Sequence, residues 1–404
     1  MRFEPFSKLM SENTKNGIYK SKDFMGTGTP IVKMSQQFGN RFIDSYLDGY
    51  EQIILDDKEL EGYRLLENDL LFSRTSVVPE GVGMCSIIRE KERDLVFESN
   101  IIRVRLNNDL VNPEFVFRYF QSPQGRGSVL SIAGGTNIKT IKASSLKDLK
   151  IPLLDRDAQN NVVEMLRNYD DLIENNRRRI QLLEESARLL YQEWFVHLRF
   201  PGHEQVEITD GVPEGWDKTT ADKVMDVLSG GTPKTKVPEF WDGEIPFFTP
   251  KDAKGLFTYD TEKTITDLGL SKCNSRLYPK YTVFITARGT VGKLSFAQRP
   301  MAMNQSCYAL IAKGEISQEF LYSSLKASIE QFKARASGAV FDAIVVDTFK
   351  NIPFLIPSSS LRDEFTEQVK GVFSQIDNLS IQNMKLAQAR DLLLPKLMSG
   401  ELTV

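Results

Sequence analysis

The chain carries nearly the same pattern twice. Gly135-Thr136-Asn137-Ile138, followed by Leu146-Lys147-Asp148-Leu149-Lys150-Ile151, leads into a long helical pattern beginning near Asp157. Gly338-Ala339-Val340-Phe341, followed by Phe349-Lys350-Asn351-Ile352-Pro353-Phe354, leads into another beginning near Leu361. The offset is 203 residues both from Gly135 to Gly338 and from Leu146 to Phe349. Upstream, Pro113-Glu114-Phe115-Val116 answers Gln318-Glu319-Phe320-Leu321 at an offset of 205. A period near half of 404 residues is too long for a solenoid. It calls for two copies of one globular-plus-helix unit, and so for a pseudo-two-fold α/β molecule. Such a molecule suits a partner with two similar faces, duplex DNA among them.

The helical stretches are patterned for pairing. Val162, Leu166, Tyr169, Ile173, Asn176, Ile180, Leu183, Ala187, Leu190 and Trp194 follow an unbroken 4-3 spacing, the signature of a coiled-coil seam. Asn176 is its only polar member. It reads either as a buried register-setting Asn or as a partly wet position. The second seam runs Phe365, Val369, Val372, Ile376, Leu379, Asn383, Leu386, Leu393 and Leu397, with Arg390 interrupting and Ser399-Gly400 as the stop. Helices of ~38 residues would each be roughly 57 Å long. Each needs a packing partner, and antiparallel pairing with the other is the simplest solution.

This divides the chain into a first globular domain (1–155), a first long helix (156–200), a linker (201–212), a second globular domain (213–358) and a second long helix (359–404). Within the domains, residues 69–74 and 281–286 read as equivalent buried strands. Pro113–Gln121 and 318–327 read as equivalent short helices, with Phe115, Val116 and Tyr119 turned inward.

Composition excludes several classes. With 41% hydrophobic and 26% charged residues the chain is ordinary globular protein, and no apolar run reaches the ~18 residues of a membrane span. Met1-Arg2-Phe3-Glu4-Pro5 has no leader-like apolar region. Cys85, Cys273 and Cys307 are scattered and odd in number, as expected of reduced cysteines in a cytoplasmic protein. The net charge of −3 argues mildly against nucleic acid. The average hides a contrast, however. Acids crowd residues 155–193, whereas Lys234, Lys236, Lys251, Lys254, Arg288 and Lys293 dominate stretches of the second domain.

Catalytic signatures are missing. His197 and His203 lack companions at zinc spacing. Gly289-Thr290-Val291-Gly292-Lys293 is a fragment of a phosphate loop without the first Gly or the loop length. There is no glycine-rich strand–turn–helix, no Asn-Pro-Pro-aromatic run and no G-x-S-x-G. Asp170-Asp171 reads as a solvated helix face. Binding or assembly is left as the role.

The second domain opens with Val212-Pro213-Glu214-Gly215-Trp216, then Ser229-Gly230-Gly231-Thr232-Pro233-Lys234-Thr235, then residues 239–252, Glu-Phe-Trp-Asp-Gly-Glu-Ile-Pro-Phe-Phe-Thr-Pro-Lys-Asp. With Arg288-Gly289-Thr290-Val291-Gly292, Phe349-Lys350-Asn351-Ile352-Pro353 and Trp194-Phe195-Val196 ending the first helix, the whole chain resembles the specificity subunit of Type I restriction-modification enzymes. The first domain matches more weakly, with Gly28-Thr29-Pro30-Ile31-Val32 where the second has Glu244-Ile245-Pro246-Phe247-Phe248. The resemblance implies two target recognition domains, each reading half of a bipartite DNA site in the major groove. It implies antiparallel helices that set the unread spacer and dock two methyltransferase subunits, which carry S-adenosylmethionine and modify adenine. Two translocating restriction subunits would complete the nuclease. This chain itself would bind no cofactor or metal and catalyse nothing.

Base readout needs Arg or Lys for guanine and Asn or Gln for adenine. The candidates are Lys20, Lys22, Lys33, Gln36 and Arg74 in the first domain, and Lys234, Lys236, Lys251, Arg288 and Thr290 in the second. Arg74 and Arg288, ending equivalent strands, are expected to play equivalent roles. Trp216 and Trp241 read as packing residues, and Arg177-Arg178-Arg179 as a helix surface. Two other classes stay open: an adaptor that binds only protein, and an enzyme whose motifs are not apparent.

Overall fold

The computed structural model describes residues 2–45, 49–89, 92–335 and 343–403. Two compact units emerge, Met1–Glu174 with Asn383–Val404, and Asn175–Gln382. Each long helix therefore contributes one half to each unit.

In the first unit a five-stranded sheet has the order Lys15–Asn16, Ile101–Val104, Leu70–Ser73, Cys85–Ile88, Phe42–Ile43. Its central strand, Leu-Leu-Phe-Ser, is buried throughout, which is why it reads as a continuous apolar run and not as an alternation. A three-stranded sheet follows the order Glu51–Ile53, Met25–Val32, Val96–Phe97, and Arg2–Pro5 pairs with Lys150–Leu153. The helix Pro113–Gln121 starts where the Asn112 side chain accepts from the Glu114 and Phe115 amides, with Pro113 in the first turn. It stops at Ser122-Pro123, since proline offers no amide to continue the ladder and Ser122 caps the next helix instead.

The second unit repeats these three sheets in the same order. Its five-stranded sheet runs Met225–Ser229, Cys307–Ala312, Val283–Thr286, Leu294–Ala297, Phe257–Thr258, and its three-stranded sheet Thr264–Ile265, Trp241–Phe248, Ala302–Met303. Asp217–Thr220 pairs with Pro353–Ile356. Even the bulge recurs: Met25 and Thr29 both face Ile53, and Trp241 and Ile245 both face Ile265. The equivalent helix, Gln318–Arg335, is longer than residues 318–327, because Ala327-Ser328 stand where the first copy has Ser122-Pro123. The motif Gly338–Phe341 lies outside the described residues.

The first long helix spans Arg156–Tyr191 and ends in a π-helical turn, Gln192–Val196, and the second spans Ser359–Ser399 and ends at Gly400 with φ 71°. They run antiparallel within each unit. In the first, Val162, Val163 and Leu166 share a core with Leu394, Leu397 and Met398, and Asn383 Nδ2 donates to the Ile173 carbonyl at 3.3 Å. In the second, Ala187, Tyr191 and Trp194 share a core with Phe365, Val369 and Ile376. Asn176 is only 7% exposed, so the position is buried and not wet.

The solvated reading of Asp170-Asp171 holds for one residue only. Asp171 is exposed, but Asp170 is buried, 7% exposed. Arg390 Nη1 reaches its Oδ1 at 2.6 Å, and Arg118, itself buried, pairs with both Asp170 and Glu114, the latter at 2.8 Å. Arg390 thus interrupts the apolar seam in order to satisfy a buried carboxylate. Burial disfavours the Asp170 charge, yet Arg118 and Arg390 outweigh it and hold the carboxyl below its usual range. At the register-equivalent positions the second unit has Ser323, Phe373 and Ala187 instead of Arg118, Asp170 and Arg390. Phe373 there joins an aromatic cluster with Phe257, Phe296 and Tyr322.

Candidate nucleic-acid interface

In the second unit, the strands Trp241–Phe248, Val283–Thr286 and Ala302–Met303 end close together. The loops that follow them line an open cleft of about 380 Å³, with Thr249, Lys251, Lys263, Arg288, Asn304 and Ser306 around it. Asp252 pins the first loop: its Oδ2 accepts from the Thr249 amide (2.8 Å) and hydroxyl (2.7 Å), and its Oδ1 accepts from the Glu262 amide at 2.9 Å. Asn304 turns the third loop by accepting the Ser306 amide at 3.0 Å. A fourth loop, residues 231–240, lies against the third. The Gly231 amide donates to the Met303 carbonyl at 3.1 Å, and the Thr232 hydroxyl bonds to the Gln305 side-chain oxygen.

Gly230 permits that approach. A Cβ there would stand 2.3 Å from the Asn304 carbonyl oxygen and 2.5 Å from that of Met303. Gly17 serves the same purpose in the first unit, against the Glu98 carbonyl oxygen at 2.2 Å. Gly230→Ala is therefore expected to destabilise the second unit by about 1–3 kcal/mol through backbone crowding. The check is chemical denaturation combined with hydrogen exchange at residues 300–310. Wild-type protection there would refute the crowding argument.

The sequence-derived candidates are distributed unevenly. Lys234, Lys236, Lys251, Arg288 and Thr290 are exposed in the second unit, with Lys251 3.8 Å from Glu262. Lys251 and Arg288 share the cleft, and the Lys234 carbonyl accepts from the Trp241 indole at 3.3 Å. In the first unit Lys22 is exposed and Arg74 half-buried, but three candidates are engaged within the fold. Lys20 lies 2.6 Å from Glu59 and 4.7 Å from the centre of the Phe24 ring. Lys33 lies 2.6 Å from Glu51. The Gln36 amide nitrogen donates to the Gly49 carbonyl at 2.9 Å while its oxygen accepts from the Lys33 amide.

Arg74 and Arg288 are not equivalent. The Arg74 amide donates to the Asn100 carbonyl and the Ala287 amide to that of Ser306, at 2.7 and 2.8 Å, so Ala287 is the counterpart of Arg74. Arg288 occupies the place of Thr75. Asn304-Gln305-Ser306 and Lys263 were not among the candidates. The visible signal for the triplet is three polar residues between Met301-Ala302-Met303 and the apolar strand Cys307–Ala312.

His197 Nδ1 is 2.9 Å from Glu193 and His203 Nδ1 is 2.8 Å from the Phe200 carbonyl. Among the described residues no group of three His, Cys, Asp or Glu side chains could hold an ion, and no helix is long and apolar enough to cross a membrane.

The profile described as "Type I restriction modification DNA specificity domain" matches residues 7–185 and 213–388, one match for each copy of the repeat. The chain belongs to the Type I restriction modification DNA specificity family. It is 25% identical to the Type I restriction enzyme HindI specificity subunit of Haemophilus influenzae, over 98% of this chain and 97% of that one. Identity to the Type I restriction enzyme MjaIX specificity subunit of Methanocaldococcus jannaschii is 26%, over 73% of this chain and 70% of the relative. The crystal structure of the Type I restriction-modification system S subunit from M. genitalium shares the fold, with a TM-score of 0.55 at 17% identity, covering 98% of this chain and 95% of that one. The specificity family thus accounts for both copies of the repeat.

Proposed function

We propose that this chain is the DNA sequence-specificity subunit of a Type I restriction-modification complex, reading a bipartite site with one half-site per globular domain. The observation that carries the reading is one scaffold, repeated register for register, bearing unlike loop residues. Lys33, Glu51, Thr75, Glu98 and Asn100 in the first copy stand at the positions that Thr249, Lys263, Arg288, Asn304 and Ser306 occupy in the second. A duplicated fold conserved at this level with different polar tips is what two readers of two different sequences require. Lys22 and Arg74, with Lys234, Lys236, Lys251, Arg288 and Thr290, are the contacts proposed for DNA. Lys20, Lys33 and Gln36 shape their loops. The paired helices dock two methyltransferase subunits, which carry S-adenosylmethionine and methylate adenine, and two restriction subunits join the full complex. This chain contributes no catalytic group.

The test is a domain exchange. Replacing residues 213–345 by the same span of a relative, in the complex with the methyltransferase, is expected to change one half of the methylated motif and preserve the other. Mapping of methylated adenines reads the result. A change in both halves would refute modular readout. A protein-only adaptor would give no salt-sensitive DNA binding at all, whereas phosphate contacts make affinity fall steeply with salt.

A further inference from the structure

The cleft in the second unit has a one-sided hydrogen-bonding character. Several of its acceptors are engaged internally. Both carboxylate oxygens of Asp252 hold loop amides, and Glu262 at the rim is matched by Lys251 at 3.8 Å. The Asn304 oxygen takes the Ser306 amide, and because that donor is a backbone N–H, the side-chain orientation is fixed with Nδ2 left over. The residues around the cleft are rich in donors: Asn304, whose Nδ2 is left over, with Lys251, Lys263 and Arg288. Arg288 is exposed and stands beside Gly289, whose φ of 78° makes the turn that carries it.

We infer that this cleft is a guanine-reading site and that Arg288 and Asn304 determine a guanine in the second half-site. The inference rests on the DNA-reading role proposed above. In the major groove, guanine alone presents two acceptors, N7 and O6, whereas cytosine presents an amine donor and adenine one of each. A donor-rich surface fits the first and leaves an unpaired donor against the others. The guanidinium fork matches N7 and O6 together, while an ammonium does not. The first unit carries the opposite chemistry at the same register. Glu98 stands in place of Asn304 and accepts the Met34 amide at 2.6 Å, Glu51 stands in place of Lys263, and Thr75 in place of Arg288. The equivalent position of the first half-site is therefore read without a guanine fork.

A backbone phosphate is the other acceptor-only partner such a cleft would take, and the experiment separates the two. The chain is co-expressed with its methyltransferase, and methylated sites are mapped for wild type, Arg288→Lys, Arg288→Ala and Asn304→Asp. Arg288→Lys keeps the charge and loses the fork. It is expected to relax one guanine of the second half-site by about 5- to 150-fold in discrimination while the first half-site stays intact. Asn304→Asp, which exchanges a donor for an acceptor, is expected to relax the same position towards cytosine. If instead Arg288→Lys and Asn304→Asp leave the motif unchanged and Arg288→Ala only weakens binding to all sequences, with a shallower salt dependence, the contact is to phosphate and the inference is overturned. A wild-type complex that methylates no bipartite motif would refute the DNA-reading role itself, a result distinct from failure of the guanine assignment.

Discussion

Arg390→Ala is expected to cost the first unit about 3–5 kcal/mol, because it strands a carboxylate that has already been taken out of water. Asp170 is 7% exposed and loses the 2.6 Å bond from Arg390 Nη1, leaving only Arg118, which also serves Glu114. The double variant Asp170→Leu with Arg390→Met removes the charge and its partner together. It is expected to be at least ~2 kcal/mol less damaging than Arg390→Ala, since replacing a buried ion pair by apolar groups of similar volume is often close to neutral. Chemical denaturation with hydrogen exchange resolved for each unit makes the comparison. Equal cost for the two variants would mean that the ion pair is not what holds the helices there.

The same network gives the first unit an acid sensitivity that the second lacks at the equivalent place. Arg118 and Arg390, with Arg41 nearby, hold the Asp170 carboxyl below its usual range against the opposing effect of burial. A carboxyl whose folded pKa is depressed contributes stability that is fully present above its unfolded pKa of ~3.9, and that stability is lost as pH falls through the lower folded value. Phe373 stands at this position in the second unit and has nothing to protonate. Exchange protection of residues 160–174 is therefore expected to fall before that of residues 365–379 as the solution is acidified.

The fold was legible in the sequence wherever periodicity was enforced by burial on one side. The helix Pro113–Gln121 could be bounded to the residue, because Asn112 and Pro113 start it and Ser122-Pro123 stop it. Its counterpart was cut short because no local signal said that Ala327-Ser328 would continue the helix to Arg335. The repeat itself was legible, since the offset between copies stays near 203 through the helices and changes only where loops differ in length. Asp170 was misread for a physical reason. A charged residue between apolar seam positions looks solvated until its partner is known, and Arg390 is 220 residues away.

The interface was legible only in part. Cationic loop residues stand out in sequence, but their availability does not. Lys33 and Glu51 lie on different strands, and nothing local says that they pair at 2.6 Å. Arg74 and Arg288 both follow an apolar run and so look alike in sequence, but the register, set by amide bonds to Asn100 and Ser306, places them one residue apart. The Asn304-Gln305-Ser306 turn was missed because short polar segments between strands are usually plain connections. What sets it apart is the neighbouring loop, brought against it through Gly230.

Lengthening both long helices together is expected to lengthen the spacer of the recognised site. Four residues added after Glu174 and four after Gln382 fall at the boundaries that divide each helix between the units, outside either unit's own core. Four residues extend a helix by ~6 Å and turn it by ~400°, close to one full turn, so the seam keeps its facing. At ~3.4 Å per base pair this corresponds to one or two further base pairs between unchanged half-sites. Methylation at the original spacing should fall as methylation at the longer one appears. Two residues added at the same places provide the contrast. They turn the helix by ~200°, which would present the second reader to the wrong side of the duplex, and methylation of every spacing is expected to be lost. An original spacer retained by the four-residue variant would show that the linker or the methyltransferase, and not the helix pair, sets the distance.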